Sequence, residues 1–168
     1  MKKVLKLTLA VVCVMFSTSL FAQKIGRINS QDVVVNMPEF KEAQTQIEAL
    51  AKDLQAQAET IQVEMNNKLQ EYQKGAETMT DAVRQLKEKE LNDLNTRLQE
   101  FNQVAQQELQ KKEQELMEPI IKKANEAISE VAKAGGYTVI MESGSMVYFD
   151  EANVKDISPE VKAKLGIK

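Results

Sequence analysis

A chain of 168 residues with 22 Lys and Arg, 25 Asp and Glu, no His and a single Cys carries a formal net charge of -3. Without histidine, and with its one thiol at Cys13 inside an apolar leader, the rest has neither the usual nucleophile and base nor a soft metal ligand, so no enzyme activity, cofactor or metal is expected. The acidic balance speaks against nonspecific nucleic-acid binding, and the sequence has no glycine-rich phosphate loop.

Lys2, Lys3 and Lys6 precede an apolar run over 7–22, broken by Thr8 and by Ser17, Thr18 and Ser19, with a plausible cut after Ala22. This is the build of a secretory signal peptide. A membrane anchor, which wants about 20 clean apolar residues, is an alternative the run fits less well. Lipid attachment at Cys13 fits less again, because Val12 stands where a small residue is needed. Cleavage would leave 19 basic against 25 acidic residues, net -6.

Lys24-Ile25-Gly26-Arg27-Ile28 alternates as a short strand, and Asn29-Ser30 can cap a brief helix through Val33 to Val35. Met37-Pro38 then opens the first of two long helical stretches, and Thr80-Asp81 opens the second. Their apolar positions mirror one another. Tyr72/Val83, Leu69/Leu86, Met65/Leu91, Ile61/Leu94, Ala58/Leu98, Leu54/Phe101, Leu50/Ala105, Ile47/Leu109 and Phe40/Leu116 all add up to 155 or 156. Equal distances from a turn come face to face only in an antiparallel pair, so the constant sum predicts a helical hairpin folded at 74–80. The seam residues recur at threes and fours, the narrow stripe of a coiled coil. At 1.5 Å per residue, arms of about 36 residues reach roughly 54 Å. One layer near the base lacks an apolar pair, Ala43 opposite Lys112. Lys112 can lay its methylenes over Ala43 but keeps its ammonium in water, so this layer is expected to seal poorly and act as a hinge. The Pro119 junction, where a kink is expected, is the second hinge candidate.

Beyond Pro119, Ile120, Ile121, Ala124, Ala127, Ile128 and Val131 form a wider apolar face suited to a sheet, ended by Gly135-Gly136. Apolar runs at 137–142 and 146–149, joined by Ser143-Gly144-Ser145, read as a β-hairpin; 154–157 reads as an edge strand and 158–165 as a last helix. The fold class is α+β: a long antiparallel helical hairpin over 39–118 on a small β-rich body of 23–38 plus 119–168. So small a body cannot cover its own strand edges and apolar faces. Other copies are expected to complete it, through Ile25, Ile28, Val139, Ile140, Val147 and Phe149.

Lys-Ile-Gly-x-Ile-Asn at 24–29, a long helical hairpin, a C-terminal β-hairpin and then Val154-Lys155-Asp156-Ile157-Ser158, all behind an export signal, resemble the Skp (OmpH-like) family of periplasmic chaperones. The likeness of arrangement spans the chain after the leader; the likeness of letters is confined to 24–29 and 153–165. The resemblance implies a homotrimer whose strands share a β-barrel. It further implies hairpins around a cavity that holds unfolded outer-membrane proteins without ATP, in the periplasm. In that setting Ala49, Ala56 and Val63, recurring every seven residues off the seam, become candidate client contacts together with Met79 and Val104. One departure is large. Familiar members are strongly basic, whereas 39–118 here has ten basic and seventeen acidic residues, net -7, so no residue is carried over for lipopolysaccharide or anionic-lipid binding. The competing reading is a structural or adaptor coiled coil of the cell envelope with one defined partner. It calls for a strong exposed heptad stripe outside the seam, which the arms lack.

Overall fold

The computed structural model describes residues 24–167; the expected signal peptide and Cys13 lie outside them. The described chain is mostly helical, with one small sheet. In order it forms β1 (Ile25–Ile28), α1 (Ser30–Val35), α2 (Pro38–Gly75), α3 (Asp81–Ala134), β2 (Val139–Glu142), a 3₁₀ turn (Ser143–Ser145), β3 (Val154–Asp156) and α4 (Ser158–Lys164). It divides into two compact units, one of residues 34–123 and one of residues up to 33 with those from 124 onward.

In the first unit α2 and α3 form the hairpin. Pro38 sits in the first turn of α2, where its missing N–H is not needed. At the far end the Gly75 carbonyl accepts from the amides of Thr78 and Met79 at 3.0 and 3.1 Å. The Thr80 hydroxyl oxygen then caps α3 by accepting from the Val83 amide. Burial follows the apolar stripe of each helix and is graded along it, but the register lies about one turn from the expected sums of 155 or 156: Lys68–Glu90, Lys87–Glu71, Arg97–Glu64 and Lys123–Glu39 join positions adding up to 158, 158, 161 and 162. Ile61 and Leu94 are 6% and 8% exposed, whereas Leu69 and Leu86, nearer the turn, are 40% and 57% exposed. Polar cross-links join the helices there: Lys68–Glu90 at 3.5 Å, Lys87–Glu71 at 3.7 Å, and a 2.7 Å hydrogen bond from the Tyr72 hydroxyl to Glu88. Donation to that carboxylate raises the Tyr72 pKa above its ordinary value. Exposed ion pairs contribute about 0–1 kcal/mol each, so the apolar layers carry most of the register.

In the second unit the N-terminal strand lies at the centre of the sheet. The order is β2-β1-β3 with both pairings parallel, Ile25 standing opposite Val139 on one side and Val154 on the other. Gly26 and Ile28 point inward. Gly26 is required by close approach, since a Cβ there would meet Ile140 Cδ1 at 2.7 Å and the Tyr137 ring at 3.0 Å. Ile28, Val33, Ala127, Ile157 and Val161 form the buried core, with Ile128, Val131 and Leu165 packed against it. Ala127, Ile128 and Val131 of the wide α3 face thus find the partner their pattern called for, whereas Ile121 is 46% exposed. Gly136, at φ 68°, ends α3 by letting the Tyr137 amide reach the Ala132 carbonyl at 2.9 Å. A polar clasp closes the unit: Arg27 Nη1 lies 3.1 Å from Asp156, the Ser158 amide donates to Asp156 at 2.9 Å, and the Asn29 amide donates to the Ser158 hydroxyl at 3.1 Å. Burial alone would raise the Asp156 pKa. The Ser158 hydrogen bonds and the nearby Arg27 charge outweigh it and hold the group below the usual carboxylate range.

The expected C-terminal β-hairpin does not form. β2 ends at Glu142, whose carboxylate accepts from the Ser30 amide at 3.2 Å, and Ser145 turns its hydroxyl onto the Glu142 carbonyl at 2.8 Å. Residues 146–149 are not a strand. The Arg27 guanidinium lies 4.7 Å from the Phe149 ring centre, so the segment is drawn onto β1 instead of along the outer edge of β2.

The graded seam makes a prediction: Ile61→Ala should destabilise the hairpin by about 2–4 kcal/mol and the exposed Leu86→Ala by less than about 1 kcal/mol, as read by urea unfolding. A second concerns pH. With a lowered folded pKa, the stability contributed by Asp156 is complete above its unfolded value near pH ~4 and is lost as pH falls through the folded value. Asp156→Asn should cost about 1 kcal/mol at neutral pH, after allowance for its partial exposure, and progressively less as the pH falls below the unfolded value of about 4.

Candidate functional site

The residues expected to meet a client are placed singly. Ala49, Ala56 and Val63 lie a heptad apart on the α2 face away from the seam, and all three are exposed. Val104 is exposed on α3 beside the seam position Ala105. Met79 is half-buried in the turn, its methyl so near Gly75 that a Cβ there would lie 2.5 Å from it, and it serves the packing of the turn. The structure does not gather these five into one pocket. Isolated apolar points along a helix suit weak contacts spread over a long segment.

Two grooves between the helices were not anticipated. Gln57, Thr60, Ile61, Arg97 and Phe101 line one of about 260 Å³, and Leu50, Glu108, Lys111, Lys112 and Glu115 line one of about 310 Å³. Their signal in the sequence is the polar residues flanking the seam at three- and four-residue intervals, which become groove walls once the register is fixed. A third recess of about 250 Å³ near the base is floored by Ala43, Leu116, Pro119 and Ile120.

The hinge expectation needs correction at one layer. Ala43 is only 3% exposed and shares its recess with Leu116, Pro119 and Ile120, whereas Lys112 lines the groove at Leu50, so the expected Ala43/Lys112 layer does not form. Small Ala43 sits deep between the helices, and Glu39 and Lys123 clasp them by an ion pair on the rim of the basal recess. Hydrogen bonding to Lys123 lowers the Glu39 pKa. Pro119 lies inside a continuous α3, where its ring leaves the Glu115 carbonyl without the usual helical donor.

Among the expected interface residues, Ile28 is 4% exposed inside its own core and is withdrawn from any outer surface. Ile25 and Ile140 are half-buried, Ile140 packing on the core, and Phe149 is held on Arg27. Val139 and Val147 are exposed, as are Met141 and Tyr148, which sequence reasoning did not select. Both outer edges of the sheet, at β2 and β3, lack a strand partner among the described residues. Among those residues no cluster of three His, Cys, Asp or Glu could hold a metal ion, and no helix is long and apolar enough to cross a membrane.

The model of the family described as outer membrane protein (OmpH-like) matches residues 24–165. The chain is 26% identical over 148 residues to the chaperone protein Skp of Yersinia enterocolitica, covering 86% of this chain and 87% of that one. It is 27% identical over 128 residues to the chaperone protein Skp of Vibrio cholerae, covering 76% and 75%. The solved structure of an OmpH-like outer membrane chaperone from Caulobacter crescentus shares the fold, with a TM-score of 0.73 at 17% identity over 84% of this chain and 83% of that one. With the match running from before β1 to the end of α4, the chain belongs to the OmpH-like outer membrane protein family.

Proposed function

We propose that the protein is a periplasmic holdase chaperone that shelters unfolded outer-membrane proteins between helical arms, without ATP, as a homotrimer. The observation that carries this reading is the hairpin itself: a long narrow seam with single apolar residues and shallow grooves outside it, in a chain whose relatives are named as chaperones. An unfolded client needs many weak contacts that can be exchanged, and a surface of this kind supplies them without an energy source. An adaptor for one partner helix would need a continuous exposed stripe. Ala49, Ala56 and Val63 are too small and too widely spaced to make one.

Trimerisation is proposed through the free edge of β2 and the exposed side chains Val139, Met141, Val147 and Tyr148, as part of a shared barrel. Small bends where Pro119 interrupts the hydrogen-bond ladder of α3 would move the turn of the hairpin by many ångströms and fit clients of different size.

Two outcomes are expected. Residues 23–168 should keep a urea-diluted outer-membrane barrel soluble at a stoichiometric amount of trimer with no nucleotide present; absence of protection in a turbidity assay would transfer the case to the adaptor. Light scattering should give the mass of three chains, lowered by Val147→Asp, and a stable monomer at micromolar concentration would contradict the assembly.

A further inference from the structure

The charge of the hairpin is divided by side. Glu39, Glu42, Asp53 and Glu64 fall on one flank of the α2 seam at separations of three, four and sums of these, and Asp93, Glu100, Glu108, Glu115 and Glu118 fall likewise on α3. The two flanks form the same side of the hairpin, because Arg97 of the α3 series reaches Glu64 of the α2 series at 3.8 Å. Over 39–64 and 93–118 these nine carboxylates face three cations on that side, Arg97, Lys111 and the groove-lining Lys112, for a net of -6; toward the turn Lys68 and Lys89 offset Glu71 and Glu90. The opposite flank has amides at the corresponding places, Gln44, Gln55, Gln62, Asn95, Asn102 and Gln106, with carboxylates at Glu48 and Glu113.

Both unanticipated grooves open on the acidic side. One has Ile61 and Phe101 as its apolar floor, the other Leu50. Leu50 and Ile61 are 11 residues apart on α2, or about 16 Å along the helix, which is the span of about five residues of extended chain.

We infer that this side of the hairpin is a docking surface for an extended cationic polypeptide segment carrying two apolar side chains about five residues apart. This rests on the holdase reading and adds which side of the arm is used and which client segments it takes. Each groove is large enough for one aliphatic or aromatic side chain; Arg97 lines the first and Lys111 and Lys112 the second, and the carboxylates that outnumber them along the flank draw Lys and Arg of the segment to that side. Exposed pairs of this kind add little individually and are screened over about 10 Å at 0.1 M salt, so capture is quick and release is easy. The amide flank lacks that attraction.

The chain beyond the leader has no cysteine, so benzophenone can be placed at Thr60→Cys on the acidic side or at Gln62→Cys on the amide side. The probe is a short labelled peptide with two Phe about five residues apart among Lys, Ser and Gly, compared with a twin in which Glu replaces Lys. The Lys peptide should cross-link about fivefold more from position 60 than from position 62, and the Glu peptide poorly from both. The full chain bearing Asp53→Asn, Glu100→Gln, Glu108→Gln and Glu115→Gln should bind the Lys peptide about tenfold more weakly at low salt, with a flatter salt dependence. Glu48→Gln with Glu113→Gln should leave binding unchanged. Equal cross-linking from the two sides, or unchanged affinity in the fourfold variant, would overturn the docking surface. Aggregation assays on the same proteins keep the two readings separate: protection without side preference removes the docking surface alone, whereas side-selective peptide binding without protection supports it and removes the holdase.

Discussion

The antiparallel seam between α2 and α3 is the constraint on which the rest of the hairpin depends. Its layers, from Phe40 to Tyr72 on α2, are one or two side chains wide, and no second apolar face competes with them for a partner. A narrow seam holds the helices side by side along their length. It encloses nothing else. Every side chain off the seam is left on a long surface, where its position relative to the seam decides whether it walls a groove, flanks one or faces solvent.

The two units use different physics. The hairpin is held by repetition of small burials, with polar cross-links such as Lys68–Glu90 taking over where the leucines become exposed. The other unit has a true core, where Val33, Ile157 and Val161 are fully enclosed, and a central strand whose pairings join residues more than a hundred positions apart. Arg27 ties that unit together, meeting Asp156, Ser143 and the Phe149 ring from one strand position. A guanidinium suits the task because it offers several donors in a plane and a face to an aromatic ring. The contrast bears on function: a well-ordered sheet with exposed apolar residues favours fixed assembly, while a thinly buried hairpin favours adaptable contact.

The hairpin was legible because helical periodicity is local, but its register was not, because stripes spaced at threes and fours pair nearly as well one turn along, and Lys68–Glu90 and Arg97–Glu64 add up to 158 and 161 instead of 155 or 156. The helix ends at Pro38 and Gly136 were legible too, each being set by the chemistry of one residue. The C-terminal strands were misread because Ser143-Gly144-Ser145 between two apolar runs is a sound local signal for a hairpin. The true partner of β2 is β1, and nothing near residue 140 records it. Ile28 was assigned outward for a related reason: alternation gives two faces, and only the packing of Val33, Ile157 and Val161 says which is inside. The grooves at Ile61 and Leu50 are invisible to a charge count along the chain, because acidic residues that share one side of the hairpin come from two helices running in opposite directions.

Hydrogen exchange along the hairpin tests the role of the seam most directly. If the apolar layers hold the helices together, amide protection should be greatest around Leu54, Ile61, Leu94 and Phe101 and should fall toward Leu69, Val83 and the turn, following the loss of burial. Protection that stays uniform from Leu54 through Tyr72 and back through Val83 would mean that something other than the seam holds the helices in register, and would contradict the account.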